Sequence, residues 1–164
     1  MPPWYSHVKT EPAVPDIADL VPHRGAMSWL DRVIEADAES LLAEATLRAD
    51  HLLVQGGQLG ASAGVEYMAQ AAAAWAGYQR HLKADEGGAA RIGFLLGTRR
   101  YQCSRAAFQI GDVLRVQVQR LFQADNGLGQ FECVISIDGA EVARASLNVF
   151  GPDDPEAFLN GQTP

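Results

Sequence analysis

The sequence predicts an α+β domain in which a curved antiparallel sheet wraps around one long buried helix. Residues 60–79 contain a single side chain that is charged at neutral pH, Glu66, and are mostly Ala and other small or apolar residues, which is typical of a helix buried nearly all round. The later half of the chain alternates apolar and polar residues between turn signals, as hairpin strands do. A chain of 164 residues fits one domain, which we place at residues 16–164 after an irregular arm, residues 1–15.

A short helix and a β-hairpin are predicted before the long helix. Asp16 is expected to cap a helix over residues 17–21, and Pro22 ends that helix. Residues 27–36 predict a first strand. Residues 41–49 alternate apolar and polar side chains and predict its antiparallel partner.

The long helix is predicted over residues 61–83, after a glycine-bearing loop at residues 50–59. Later strands are predicted over residues 92–103 with a bulge at Gly97, and over residues 113–123, 131–137 and 141–150. Asp125-Asn126-Gly127 and Asp138-Gly139 are hairpin turn signals. This order of elements is that of a hotdog fold. Its open sheet edges and the second face of its helix predict a dimer in which two sheets join edge to edge.

Composition excludes several classes of function. The net charge of −7 argues against nucleic acid as a partner. No stretch is apolar enough for a membrane span, and the first residues lack the pattern of a secretory signal. Two cysteines without such a signal predict reduced thiols and a cytoplasmic location. No Cys/His cluster has metal-ligand spacing.

Glu66 is the residue of the long helix that is best suited to proton transfer. Its Val, Met and Ala neighbours predict burial, and a buried carboxylate must be partnered or protonated. An acid in that setting is a candidate general acid or base. The alternative is a structural carboxylate bonded to backbone N–H groups or to an arginine of the sheet.

Three motifs together resemble the 3-hydroxyacyl-ACP dehydratases of the FabZ type. Pro22-His23-Arg24 is similar to the opening of these enzymes, Glu66-Tyr67-Met68-Ala69-Gln70 to their helix motif, and Gly111-Asp112 to the turn before their last strands. Residues 92–101 and Asp125-Asn126-Gly127 resemble more specifically the ApeP-type subunit of aryl polyene pathways. The resemblance extends over nearly everything after residue 16.

The resemblance implies dehydration of 3-hydroxyacyl thioesters carried on the phosphopantetheine of an acyl carrier protein, in a fatty acid or polyene pathway. It implies no cofactor and no metal. In FabZ-type enzymes a loop histidine and the helix glutamate form the catalytic pair, from opposite subunits of the dimer. Glu66 matches that glutamate. The helix N-terminus, with its free N–H groups, is where the thioester carbonyl would be polarised.

The family histidine has no counterpart at its usual place. The loop reads Gln55-Gly56-Gly57-Gln58, so that the histidine position falls at Gly57. His51, at the start of the loop, is one candidate for the missing base. The other is a histidine supplied by a second hotdog subunit in a heterodimer, which is the arrangement that the ApeP-type resemblance implies.

Other candidate site residues have both a functional and a structural interpretation. Gln70, one turn after Glu66, could hold the carboxylate or simply pack. Gly60 and Gly64 could admit a thioester or allow close contact between helix and sheet. His23 is interpreted mainly as a structural residue that locks the turn after the first helix. A predicted carrier-protein patch is formed by Arg99, Arg100 and Arg105, for which a solvated strand end is the alternative.

Two other functions remain open at this point. The chain could be a non-catalytic partner that completes the site of another hotdog dehydratase. It could also be an acyl thioesterase, because hotdog thioesterases use a helix carboxylate to direct water at the carbonyl. Only the motif resemblance favours dehydration over these alternatives.

Overall fold

The computed structural model describes residues 13–83 and 93–161. The helices are α1 (Ile17–Leu20), α2 (Gly64–Leu82) and α3 (Pro155–Leu159), with single 3₁₀ turns at Gly25–Met27 and Ala61–Ala63. The strands are β1 (Arg32–Ala36), β2 (Ser40–Thr46), β3 (Gln58–Gly60), β4 (Phe94–Cys103), β5 (Ala107–Gln109), β6 (Val113–Gln123), β7 (Leu128–Ile137) and β8 (Ala140–Phe150).

Six strands form one antiparallel sheet in the order β1-β2-β6-β7-β8-β4, and β3 pairs with β5 in a small separate sheet. The side chains of β6 show how the sheet is used. Leu114, Val116 and Val118 are fully buried, whereas the residues between them are exposed. One face of the sheet therefore covers the core, and the other faces solvent.

Helix α2 lies against the buried face of the sheet and forms the centre of the core. Met68, Ala71 and Trp75 are buried, and Trp75 packs edge-on against Phe131 of β7. At Gly77 a side chain has no room, because a Cβ there would overlap the backbone of Leu20. Small residues thus let α1 and α2 approach until their backbones touch.

Ion pairs cover the solvent face of the sheet. Glu44 of β2 bonds Arg32 at 3.1 Å and Arg115 at 3.0 Å, one on each neighbouring strand. Arg144 of β8 bonds Glu132 of β7 at 2.9 Å. These cross-strand pairs support the register of the neighbouring strands. In the described chain, no second layer of protein covers this face of the sheet.

The predicted architecture is present, and several boundaries move. Residues 27–31 are not a strand; a 3₁₀ turn occupies Gly25–Met27 and β1 begins at Arg32. Asp16 stands at the N-cap position of α1, but its side chain makes no capping hydrogen bond. The expected bulge near Gly97 is seen as a register shift between Leu95 and Gly97.

Three elements have no counterpart in the sequence prediction, namely β3, which lies mostly in the predicted loop, β5 and α3. Most of the predicted N-terminal arm, the segment after the long helix and Ile92 lie outside the described residues. Within the described chain, no helix is both long and apolar enough to cross a membrane.

Candidate active site

Glu66 lies in the first turn of α2 and lines an open groove. Its side chain is 36% exposed, so the prediction of a buried carboxylate is wrong for the single chain. The reason is that the groove beside the helix start stays open. The carboxylate is therefore placed where a ligand in the groove can reach it.

The groove encloses about 660 Å³ and is largely apolar. Its lining residues come from the 3₁₀ turn before β1, the loop before β3, and the start of α2: Met27, Trp29, Leu52, Leu53, Gln55, Leu59, Gly60, Ser62, Ala63, Val65 and Glu66. Leu52 and Leu53 are each about half exposed. Such a surface suits a ligand with an apolar chain, and it offers that ligand one carboxylate, that of Glu66.

Gln70 fixes Glu66 to the segment that precedes β1. Its Nε2 donates to Glu66 Oε1 and to the carbonyl oxygen of Met27, both at 2.9 Å, and its Oε1 accepts from the backbone N–H of Trp29, also at 2.9 Å. The amide is fully buried, and these partners determine which end carries the oxygen. Gln70 does not line the groove, so it would not touch a ligand there itself and would act on one only by holding Glu66.

His23 is the histidine that lies beside Glu66. Its Nε2 is 3.7 Å from Glu66 Oε1, and its Nδ1 is buried without a hydrogen-bond partner among the described residues. The sequence interpretation of His23 as a turn-locking residue missed this approach. The signal was present in the Pro22-His23-Arg24 motif, but the pattern does not say which part of the helix the motif faces.

His51 lies elsewhere, in an aromatic cluster with Trp29 and Tyr67. Its ring centroid is 4.4 Å from that of Trp29 and 6.3 Å from that of Tyr67. Its Nδ1 accepts from the backbone N–H of Leu53 at 3.2 Å, which leaves the proton on Nε2. Burial lowers the pKa of His51.

The structure therefore does not bring His51 to the carboxylate. No hydrogen bond or ion pair joins His51 to Glu66 within residues 13–83 and 93–161, and His51 does not line the groove. With Nδ1 used as an acceptor and Nε2 buried, the ring has no free lone pair with which to take a proton. These contacts argue against His51 as the base.

Comparison with known proteins identifies the family of the chain. The profile of ApeP-like proteins, described as ApeP dehydratase, matches residues 15–160. The chain belongs to the ApeP-like dehydratase family. Among curated proteins, none matches the sequence significantly.

A solved structure resembles this ApeP-like chain over nearly its whole length. It is the dehydratase heterocomplex ApeI:P from Xenorhabdus doucetiae, with 29% identity, a TM-score of 0.81, and coverage of 91% of this chain and 99% of that chain. The PaaI protein of the E. coli phenylacetic acid degradation operon is 16% identical with a TM-score of 0.54, over 72% of this chain and 80% of its own. A hypothetical thioesterase from Streptococcus pneumoniae TIGR4 is 12% identical with a TM-score of 0.55, over 75% and 88%. The last two show the hotdog fold alone.

The loop where the resemblance places the missing histidine is a tight turn in this ApeP-like chain. Gln55 and Gln58 exchange backbone hydrogen bonds at 2.9 and 3.1 Å. The two residues between them, Gly56 and Gly57, have φ angles of +59° and +77°. Two successive left-handed residues make a two-residue turn that favours glycine at both places. The backbone at Gly57 is thus unsuited to a histidine.

Gly60 and Gly64 have different surroundings. Gly60 lines the groove and has no atom closer than 4.0 Å to the place of a Cβ. Gly64 lies under the hydroxyl of Tyr101 and the side chain of Ile135, and it does not line the groove. Gly64 therefore serves close packing between helix and sheet, while Gly60 is free to contact a ligand.

The three arginines of the predicted carrier-protein patch also differ. Arg105 forms an ion pair with Asp112 at 3.1 Å. Arg99 and Arg100 are exposed on β4, and neither forms an ion pair within residues 13–83 and 93–161. The free positive charge of the predicted patch is therefore on Arg99 and Arg100, and docking of a carrier there remains a prediction.

Proposed function

We propose that this chain is the glutamate-bearing subunit of a hetero-dimeric dehydratase that converts 3-hydroxyacyl-ACP thioesters to trans-2-enoyl-ACP. The observation that carries the proposal is the placement of Glu66. It is the only carboxylate among the residues that line the described groove, and Gln70 holds it at the start of α2. Membership of the ApeP-like dehydratase family makes hydro-lyase chemistry the natural use of this carboxylate.

The reaction needs one proton acceptor and one proton donor. A base takes the proton from C2, and the electron pair of that C–H bond becomes the second bond between C2 and C3. The C3–O bond breaks, and an acid gives the leaving hydroxyl a proton, so that water is released. Glu66, protonated, is the acid that we assign to the C3 hydroxyl.

We assign the base to a second hotdog subunit. The position that matches the family histidine is Gly57, in a turn that disfavours any side chain, and His51 makes no contact with Glu66 among the described residues. A protein that is 29% identical to this chain is described as part of a dehydratase heterocomplex. Both points support a partner that brings its own histidine to the groove.

The substrate is proposed from the groove and from charge. Met27, Leu52 and Leu53 give the groove an apolar lining that suits an acyl or aryl-polyene chain. The net charge of −7 repels an acidic carrier protein, so docking needs the local charge of Arg99 and Arg100. No cofactor takes part in this scheme, and a cytoplasmic location remains a prediction.

Mass spectrometry of a carrier-bound substrate tests the function. The chain is incubated with a 3-hydroxyacyl-ACP, first alone and then with a candidate second hotdog subunit of the kind present in the ApeI:P heterocomplex. We expect loss of water, about 18 mass units, only with the partner present. Release of free acid would instead identify a thioesterase. Unchanged substrate under both conditions would refute the proposal.

Glu66→Gln tests the residue assignment. It keeps the size of the side chain and removes the acid, so we expect the rate to fall about 10²- to 10⁴-fold with an unchanged melting temperature. The matched control is Glu35→Gln, which neutralises an exposed carboxylate on β1. An active Glu66→Gln complex would show that the carboxylate is structural. This chain would then be the non-catalytic partner of another hotdog dehydratase.

A further inference from the structure

We propose that His23 is the positioning residue of Glu66: it holds one carboxylate oxygen so that the other is presented to the groove. This inference rests on the proposed function of Glu66 and adds a residue that the family resemblance leaves in a structural role. It assigns to this chain a Glu–His pair that is separate from any histidine of a partner subunit.

The two oxygens of Glu66 have different surroundings. Oε1 accepts the hydrogen bond from Gln70 Nε2 at 2.9 Å and lies 3.7 Å from His23 Nε2. Oε2 accepts no hydrogen bond within the described parts of the chain. Oε1 is thus bonded by Gln70 and approached by His23, while Oε2 keeps its lone pairs free of hydrogen bonds from the described residues.

The backbone around His23 holds the ring at this place. Arg24 Nη1 donates to the carbonyl oxygen of Val21 at 2.5 Å and to that of His23 at 2.8 Å. Val21 is fully buried, and Leu20 before it lies against Gly77 of α2. The imidazole is therefore carried by a turn that is fixed to the same helix as Glu66.

The ring also carries an unsatisfied polar atom. Nδ1 of His23 is buried and has no hydrogen-bond partner among residues 13–83 and 93–161, and burying such a group lowers stability by about 1–3 kcal/mol. A purely structural residue at this turn would gain from an apolar side chain. The contact of Nε2 with the carboxylate is the interaction that explains a histidine here.

His23 acts through Glu66 because it does not line the groove. Few other charges compete for the ring. The Arg24 guanidinium bonds backbone carbonyls, and Asp31 bonds Arg48 at 2.8 Å. Among the described residues, Glu66 is the carboxylate that pairs with His23. Catalytic contacts that are long in a ligand-free site commonly tighten when substrate binds.

Kinetics of the complete complex test the role. In His23→Ala we expect kcat for dehydration to fall by about one order of magnitude while KM changes less than twofold. His23→Gln, which can still donate to Oε1, should restore part of kcat. His81→Gln, at the exposed end of α2, is the control. A kcat in His23→Ala equal to that of the wild type would overturn the inference.

A second measurement needs neither activity nor a His23 variant. The ¹⁵N chemical shifts of the His23 ring are recorded in the full-length wild-type chain and in Glu66→Gln. We expect the Nε2 signal to move while the signals of His81 stay in place; identical His23 signals would refute the pairing. If the wild-type complex leaves the 3-hydroxyacyl-ACP intact, the proposed function fails. In that case the ring shifts alone decide whether the pair exists.

Discussion

The hydroxyl group of Tyr101 lies directly over Gly64, the first residue of α2. The same hydroxyl donates a hydrogen bond to the carbonyl oxygen of Ala61, in the 3₁₀ turn that leads into the helix. Burial raises the pKa of Tyr101 well above its usual value, so the phenol stays protonated and able to donate. A strand residue thereby fixes the start of the helix two residues before Glu66.

This contact predicts that Gly64→Ala destabilises the protein. A methyl group at residue 64 would overlap the Tyr101 hydroxyl and approach Ile135 Cδ1 to 3.3 Å. We expect the free energy of unfolding to fall by about 1–3 kcal/mol, measured by urea denaturation. Gly60→Ala is the matched control, because a Cβ there meets nothing closer than 4.0 Å. Equal stability of the two variants would contradict this account of the helix start.

The tight turn at Gly56-Gly57 predicts that Gly57→His does not create a self-sufficient enzyme. A histidine at φ +77° is strained by about 1–2 kcal/mol, so the turn must rearrange to accept it. We expect lower stability and no dehydration of 3-hydroxyacyl-ACP without a partner. Gly57→Val should lose more stability, since a β-branched residue is a genuine outlier in the left-handed region. Partner-free turnover by Gly57→His would contradict the prediction.

The β1–β2 turn predicts a dependence of stability on pH. The Asp37 carboxylate accepts hydrogen bonds from the backbone N–H groups of Glu39 at 2.8 Å and Ser40 at 2.7 Å. These bonds, that from Glu39 first, lower the pKa of Asp37 below its ordinary value of 3.8. A carboxyl with a lowered folded-state pKa stabilises the fold above its unfolded pKa, and loses that effect as the pH falls through the folded value.

We therefore expect Asp37→Ala to lower the free energy of unfolding by up to about 1 kcal/mol at pH 7, since solvent screens this exposed carboxylate. The difference from wild type should shrink as the pH falls below 3.8, the ordinary pKa of this carboxyl, and through its lower folded-state pKa. Urea denaturation at several pH values measures it. Asp153→Ala, which removes an exposed carboxylate with no described hydrogen bond, controls for net charge. A difference that persists unchanged in acid would refute the role of the carboxylate.

The arginines of β4 predict selective effects on carrier-bound substrate. We expect Arg99→Gln to raise KM for acyl-ACP about three- to tenfold, as expected for loss of roughly 1 kcal/mol of charge attraction. KM for the same acyl group on free pantetheine should not change. Arg32→Gln, on the opposite edge strand of the sheet, is the control. Equal KM values for wild type and Arg99→Gln would place carrier docking elsewhere.

Local pattern was enough to predict most of the sheet. The alternation over residues 113–123 coincides with the bounds of β6, because one face of that strand is buried and the other solvated. Asp138 and Gly139 have φ angles of +52° and +78°, as the predicted hairpin turn requires. These features depend on neighbours within a few residues, which the sequence displays directly.

The site was predictable only in part, because its contacts join distant segments. Glu66 and Gln70 are one helical turn apart, so their proximity follows from periodicity. The bond from Gln70 to Met27 spans 43 residues, and the approach of His23 to Glu66 depends on how α1 packs at Gly77. No local pattern in the sequence shows that packing. For this reason the sequence alone points to His51, rather than to His23, as a candidate base.

The Gln55–Gln58 turn has a consequence for how such a chain can evolve. A single base change at the codon of Gly57 would introduce a side chain into left-handed backbone, at a cost in stability and with no gain in reaction rate. Insertions that lengthen the loop would have to come first, and alone they would bring no advantage. If a partner supplies the histidine, loss of either subunit would abolish the activity of both.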